Sequence, residues 1–235
     1  MANGMGSRHS GDTIDHLRLD KLLARRSSCR AFLPAAVPEA TIRKVLETAQ
    51  RTASWCNAQP WRVVVTTGGA TDRFRRAYAE AAVTTPAHPD FAFPPEYLGV
   101  HLERRRECGW QLYESLGIAR GDRDGARRQA LRNYEFFGAP HVAIVTCDAY
   151  LGVYAAADCG AYVANFLSAA TALGLGCIAQ AALASHPDVV RQHFGLPQSQ
   201  KVICGISFGY ADSAHPANSF RTSRAELNDV VTWAS

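Results

Sequence analysis

Apolar residues return every three or four positions in some stretches of this chain and form short unbroken runs in others. The succession of these two patterns predicts the elements. Ile14, Leu17, Leu19, Leu22 and Leu23 trace a helix over 14–24. Ile42, Val45, Leu46 and Ala49 trace a second, which begins near Pro38 with Glu39 in its first turn, a favourable helix entry. A strand over 62–67, built on Val63–Val65 and closed by Gly68-Gly69, leads to a helix over 71–83. Pro86, Pro89, Pro94 and Pro95 interrupt the chain before a helical segment over 96–117, and a shorter helix from Arg123 leads to Phe136-Phe137-Gly138. The run over 141–147 is a buried strand. The alanine-rich, nearly apolar stretch 154–173 is a long helix ended by Gly174 and Gly176. A short strand (177–181), a helix (186–194) and a long strand (202–210) follow, then an irregular tail with a β-like Val230-Val231.

Few strands, dispersed among helices of unequal length, indicate an α+β fold with one sheet wrapped by helices rather than a doubly wound sheet. No Gly-x-Gly-x-x-Gly follows a strand and no phosphate-loop motif occurs, which removes the ordinary dinucleotide and nucleotide folds. The helix over 154–173 is apolar all round and must therefore be covered on every side, by this chain or by another. The Gly/Ser-rich residues 1–12 are expected to be disordered, leaving 13–235 as a single domain.

Composition narrows the function. The chain has 235 residues, 47% hydrophobic and 20% charged, an ordinary globular balance with chain enough for a substantial core. Its net charge of +4 comes from arginine clusters at 25–26, 73–76, 104–106 and 127–128. Such clusters sit on solvated helix faces, whereas nucleic-acid binding wants a denser stripe interleaved with aromatics. Seven cysteines without a Cys-x-x-Cys pair, and no signal segment, point to reduced thiols and a cytoplasmic protein, with Cys147 and Cys204 as small core residues. The eight histidines show no ligand spacing, so no metal is expected. No apolar run reaches the roughly 18 residues of a membrane span.

Residues 54–62, Ser-Trp-Cys-Asn-Ala-Gln-Pro-Trp-Arg, carry the densest candidate chemistry. They form a polar joint between a helix and a strand, where side chains and backbone donors meet one end of a sheet. Two tryptophans flanking two amides suit a flat heteroaromatic ligand; a turn with a tryptophan anchor explains them equally well. Gln59, preceding Pro60, is biased to extended geometry.

Other segments tip that balance. The chain resembles the FMN-dependent nitroreductase family over nearly all of 14–233, and five segments carry the resemblance. Arg26-Ser27-Ser28-Cys29-Arg30-Ala31-Phe32 is similar to the family's opening Arg-x-Ser-x-Arg-x-Phe, and Ser54 to Trp61 to its Ser-x-x-Asn-x-Gln-Pro-Trp. Tyr134 to Pro140, then Asp158-x-Gly160 with Asn165 through Gly176, and finally Gly209-Tyr-x-Asp212 with the arginine-bearing tail and Val230-Val231 complete the set. The order and spacing of the five are more specific than any one.

The resemblance implies a central, mostly antiparallel sheet wrapped by helices, in an intertwined homodimer with non-covalent FMN where two subunits meet. Arg26 and either Arg221 or Arg224 would hold the phosphate, a task suited to the arginine fork, with Ser27 and Ser28 adding contacts there or along the ribityl chain. Arg30 would reach the pyrimidine edge, and Ser54, Asn57 and Gln59 would approach the ring from the other side. Ala179-Gln180-Ala181 would lie by the hydride-accepting nitrogen through backbone groups. Here the chain departs from the family's Pro-x-Glu-Gly, as it does at Trp55, read as lining the flavin or substrate region. The stretch 84–122 would be a helical excursion over the active site. Tyr97, Trp110 and Tyr113 within it fit core positions better than a roof, and Asp158 and Asn165 fit structural roles. The implied activity is ping-pong transfer of hydride from NADH or NADPH to nitroaromatics, quinones or similar electron-poor small molecules, with no side chain obliged to act as acid or base. Another reaction on the same fold (reductive dehalogenation, dehydrogenation, flavin cleavage) or flavin binding without turnover are the alternatives.

Overall fold

Strands β1 (Trp61–Thr66), β2 (His141–Asp148), β3 (Gly176–Gln180) and β4 (Gln200–Gly209) hydrogen-bond in the order β1-β2-β4-β3, every neighbouring pair antiparallel. They belong to a computed structural model that describes residues 9–234, with side chains from residue 13. The helices are α1 (His9–Arg25), α2 (Glu39–Ala49), α3 (Gly69–Thr84), α4 (Gly99–Ser115), α5 (Arg123–Leu131), α6 (Gly152–Ala172) and α7 (Pro187–Phe194).

The apolar run of β2 is explained by burial on both faces. Alternate side chains point to opposite sides of a sheet, so Ala143, Val145 and Cys147 join one core with α2 and α6, through Ile42, Val45, Tyr162 and Phe166. Val142 and Ile144 join another with α3 and α7, through Phe74, Tyr78 and Val190. Helices therefore cover both sides of the sheet. Gly209 ends β4 where a Cβ would come within 2.6 Å of the Pro140 ring, a rigid neighbour that admits only glycine. The end of α6 closes as its glycines predict: Gly174 takes φ +78° and Leu175 N–H donates to Ala170 O at 2.9 Å.

Several expectations are corrected. The predicted disorder over 1–12 conflicts with α1, which already starts at His9; residues 1–8 lie outside the described residues. Gln59 is not extended. Its φ is +47°, because the loop closes on itself through Gln59 N–H to Ser54 Oγ at 2.9 Å, and Cys56 and Asn57 are left-handed as well. Val230-Val231 is no strand in the single chain. It follows a 3-10 turn at Leu227–Asp229 and has no strand partner, and Leu227, Val230 and Trp233 are exposed. Tyr97 and Trp110 are exposed rather than core, and α4 contains no buried residue.

The largest difference concerns α6. The single chain covers one side of it, where Ala155, Cys159, Tyr162, Phe166 and Ala169 are buried. Val153, Tyr154, Ala157, Gly160, Ala161 and Ala164 recur at helical spacing on the other side, and all are exposed. The same is true of the α1 residues Ile14, Leu17, Leu19 and Leu23, about half exposed.

Candidate functional site

The spacing Arg-x-Ser-x-Arg has a geometric cause. After α1 the chain runs extended beside β3: Ser28 forms a parallel bridge with Cys177, and Cys29 N–H donates to Cys177 O at 3.1 Å. In extended backbone, alternate side chains share a face. Cys29 and Ala31 point into the core, while Arg26, Ser28 and Arg30 line a cavity of about 290 Å³. Ser27, Leu23 and Ala24 contribute to its wall, and the C-terminal tail supplies Phe220, Arg221, Thr222 and Arg224. Cys108 of α4 completes it.

The charge in this cavity is unbalanced. Arg26, Arg30, Arg221 and Arg224 have no carboxylate within ion-pair distance among the described residues. Carbonyls and hydroxyls orient three of them instead. Arg30 donates to Ser28 O at 3.3 Å and lies 5.4 Å from the centre of the Phe220 ring. Arg221 donates to Asn218 O and Phe220 O, both at 2.8 Å, and Arg224 to Thr222 Oγ1 at 3.0 Å and Ser223 O at 2.7 Å. Burial lowers the pKa of Arg30 from the usual arginine value, opposed in part by Cys108 and Cys29 nearby. Burial raises that of Cys29, whose thiol donates to Ala31 O at 3.1 Å. Four guanidinium groups and three hydroxyls, those of Ser27, Ser28 and Thr222, around one small cavity make a receptor for a multiply charged anion.

Asn218 locks the tail to the Arg26–Arg30 segment. Its Oδ1 accepts from Arg30 N–H at 2.7 Å, and its amide donates to Ala31 O at 2.9 Å and Asp212 O at 2.8 Å. Sequence reasoning missed Asn218, as it missed Cys108, Phe220 and Thr222. An asparagine in a Pro-Ala-Asn-Ser turn gives no signal beyond the turn itself.

The other proposed contacts lie elsewhere on the single chain. Ser54, Trp55, Asn57 and Gln59 do not line the arginine cavity. They form a tight loop on the exposed side of α6, where Trp55 N–H donates to Asp158 Oδ2 at 3.1 Å and its ring meets Tyr154 edge-on at 4.6 Å. Gln59 donates to Asn57 Oδ1 at 3.2 Å and accepts from Gln50 at 3.1 Å, and Gln50 in turn accepts from Trp61 Nε1 at 2.9 Å. Trp55 is 62% exposed, a large apolar ring held out from the chain that carries it. Asp158 thus serves the loop rather than its own helix, and Asn165 donates to Thr52 Oγ1 at 2.7 Å.

Ala179 and Gln180 end β3, beyond its bridge to Ser28, and Ala181 opens the 3-10 turn that follows. Ala179 and Ala181 are exposed, whereas Gln180 is buried: it accepts from Ser207 Oγ and donates to Asn133 O at 2.9 Å. The Gln180 side chain therefore fixes the backbone here and leaves its neighbours open. All seven cysteines are free thiols, and no group of acidic, histidine or cysteine residues among those described could hold a metal ion.

With this geometry in place, comparison with known proteins is informative. Residues 23–210 match the model of the nitroreductase family. The chain is 36% identical over 227 residues to nitroreductase NfnB of Mycolicibacterium smegmatis, covering 96% of this chain and 97% of that protein. It is 35% identical to a 4-nitrobenzoate reductase of Nocardioides sp., covering 91% and 89%. Among solved structures, FMN-dependent NfnB from Mycobacterium smegmatis in complex with NADPH superposes with a TM-score of 0.88 at 36% identity, over 94% of this chain and all of that one. Fold, motif order and full-length similarity agree: the chain belongs to the nitroreductase family.

Proposed function

We propose that the protein is an FMN-dependent NAD(P)H oxidoreductase acting on nitroaromatics, quinones or similar electron-poor acceptors. The observation that carries this reading is the convergence of four unpaired arginines with Ser27 and Ser28 on one cavity beside β3. That donor set fits the phosphate of FMN: Arg26 with Arg221 and Arg224 would hold the dianion, and Arg30 would be left for the pyrimidine edge. Once held there, FMN would supply the hydride chemistry between a nicotinamide nucleotide and the acceptor. The protein's part is to bind and orient. A fixed Arg30 cation stabilises negative charge on the ring, and the exposed backbone at Ala179 and Ala181 lets a flat ring approach closely. Protons come from solvent, so no general acid is assigned.

The working unit is a homodimer in this reading. The exposed side of α6 is apolar and built of small residues, the apolar side of α1 is half exposed, and the tail around Val230 lacks a partner. A second copy placed on α6 would cover these surfaces and bring the loop of Ser54, Trp55, Asn57 and Gln59 from one subunit towards the arginine cavity of the other. That arrangement supplies the second wall which the single chain lacks. Residues 13–235 then form one FMN-binding domain, and the stretch 84–122 containing α4 is its excursion over the ring. Free thiols throughout favour the cytoplasm, and no described helix is long and apolar enough to cross a membrane.

The deciding experiment is an absorbance spectrum of the purified protein before and after anaerobic addition of NADPH or NADH. Flavin bands that bleach, and return when a nitroaromatic such as 4-nitrobenzoate is added, are the expected result. A colourless protein that cannot be reconstituted with FMN would overturn the reading.

A further inference from the structure

β3 is the outermost strand of the sheet, and among the described residues its free edge is bridged at Cys177, by Ser28. Cys177 O accepts Cys29 N–H across that edge, and the backbone groups of alternate residues in a strand point the same way. Ala179 therefore turns its N–H and C=O to the same edge, two residues beyond the bridge, where no hydrogen bond outside the ladder takes them up among the described residues. Gln180 is held from the other direction: it pairs with Gly205 of β4, and its side chain is buried. From this geometry we infer that Gln180 is a positioning residue of the redox site, whose amide, locked between Ser207 and Asn133, fixes the backbone edge of Ala179 and Ala181 against which the flavin ring lies. The inference rests on the flavoenzyme reading and adds to it the residue that holds that edge.

Three observations support it. First, both ends of the amide are engaged. Its Oε1 accepts from Ser207 Oγ, and its Nε2 donates to Asn133 O at 2.9 Å and to Asn133 Oδ1 at 3.2 Å. Second, the surroundings alone would call for an apolar side chain. Val142 stands opposite Ser207 and Ile144 opposite Gly205, and Leu183 covers Gly205 so closely that a Cβ there would lie 2.4 Å from Leu183 Cδ1. A leucine would fill this layer without polar atoms, whereas a fully bonded buried amide fixes one rotamer and one distance.

Third, the anchoring continues on both sides of Gln180. Asn133 donates to Ala130 O at 3.0 Å, so the amide ties the edge of the sheet to the turn that follows α5. Beyond it, Tyr78 Oη donates to Ala182 O at 3.2 Å. The two exposed alanines are thus set by the buried contacts of their neighbours, and their own small side chains leave the backbone within reach of a flat ring.

The test uses the FMN-loaded protein, with flavin bleaching by NADPH or NADH followed in stopped flow and the flavin midpoint potential measured by dye equilibration. Gln180→Leu keeps the volume and removes the three bonds. It should retain flavin, because the arginine cavity is untouched, while bleaching slows by about tenfold or more per bound flavin and the potential shifts. Gln180→Glu gives a second readout. As a carboxylate it cannot donate to Asn133 O, whereas its protonated form can, and burial raises the pH at which it protonates. The bleaching rate of Gln180→Glu relative to wild type at the same pH should therefore climb as pH falls from about 8 to about 6. A Gln180→Leu protein of lower Tm but unchanged rate and potential per bound flavin would overturn the inference and leave the amide a purely structural role. Should that variant fail to fold, a pH-independent ratio for Gln180→Glu overturns it equally. Failure of the flavoenzyme reading looks different, since wild type itself would then stay unbleached by either nucleotide.

Discussion

Asn218 accepts the backbone N–H of Arg30 at 2.7 Å, joining residues 188 positions apart and setting the tail arginines opposite the Arg26–Arg30 segment. The same side chain donates to Ala31 O and Asp212 O. Replacing it with alanine leaves the Arg30 N–H without its partner, at a cost of about 1–3 kcal/mol if that group stays buried. Ala31 O and Asp212 O each lose one bond but keep those from Asp212 N–H and His215 N–H. Asn218→Ala is therefore expected to lower Tm and to reduce flavin content further than the lost stability explains, because the tail that carries Arg221 and Arg224 loses its side-chain tie to the Arg26–Arg30 segment. Flavin content per folded protein checks this, and full occupancy in the variant would show that the tail holds its place by other means.

Arg26 presents a contrast. No hydrogen bond or ion pair of its guanidinium occurs among the described residues, so Arg26→Ala removes no internal contact of that kind. The expected outcome is an apo-protein of unchanged Tm with FMN affinity weakened by about tenfold or more, the value of one charge-assisted contact. A fluorescence titration with FMN measures it. Normal FMN retention would remove Arg26 from the phosphate site.

The exposed side of α6 makes a separate prediction. Ala161 faces solvent in the single chain and would face a second copy in the dimer. Burying a carboxylate there without a partner is strongly unfavourable. Ala161→Glu should therefore yield monomers by light scattering and lose flavin along with the second subunit. A dimeric, fully yellow variant would rule out this side of α6 as the interface.

Acid stability should depend on His141. Its Nε2 accepts Val37 N–H at 2.9 Å, and Nδ1 lies 3.2 Å from Thr66 O, so the neutral ring protonated on Nδ1 is the form that fits. Burial lowers its pKa from the ordinary 6.5. The unfolded state then binds more protons below about pH 6.5, so this contribution is complete above that pH and is lost as pH falls towards the folded-state value. Burial acts in the same direction at His186 and His193. The exposed His88, raised by the Pro86 carbonyl and by Asp188, contributes with the opposite sign: fully below about pH 6.5, lost as pH rises. Tm should fall between about pH 7 and pH 5, and the His141 ring signals in an NMR titration should report a midpoint below 6.5. A midpoint above it would contradict this account.

The elements were legible in the sequence because they depend on local rules. The period of β2 and α6, the glycines after α6 and Pro38 before α2 act over a few residues, and the structure follows them to within a few positions. Gln59 was misread because a long-range pattern of bonds, Ser54 to Gln59 and Asp158 to Trp55, outweighs the local preference of a residue before proline. The exposure of Trp110 and Tyr97 was misread because helical spacing says which residues share a side but not whether anything covers it.

By itself the sequence determined the mixed fold, the order of the motifs and the family. Tertiary structure alone decided that residues 26–31 run extended beside β3, with Arg26, Ser28 and Arg30 on one face, that both Arg221 and Arg224 rather than one of them join that cavity, that Asn218 ties the tail there, and that Trp55 and Asn57 lie on the uncovered side of α6. The physical reason is reach. Propensity and periodicity act within a turn or a strand, whereas a charged cavity assembled from residues 26 and 224 exists only after the sheet has brought the two ends of the chain together.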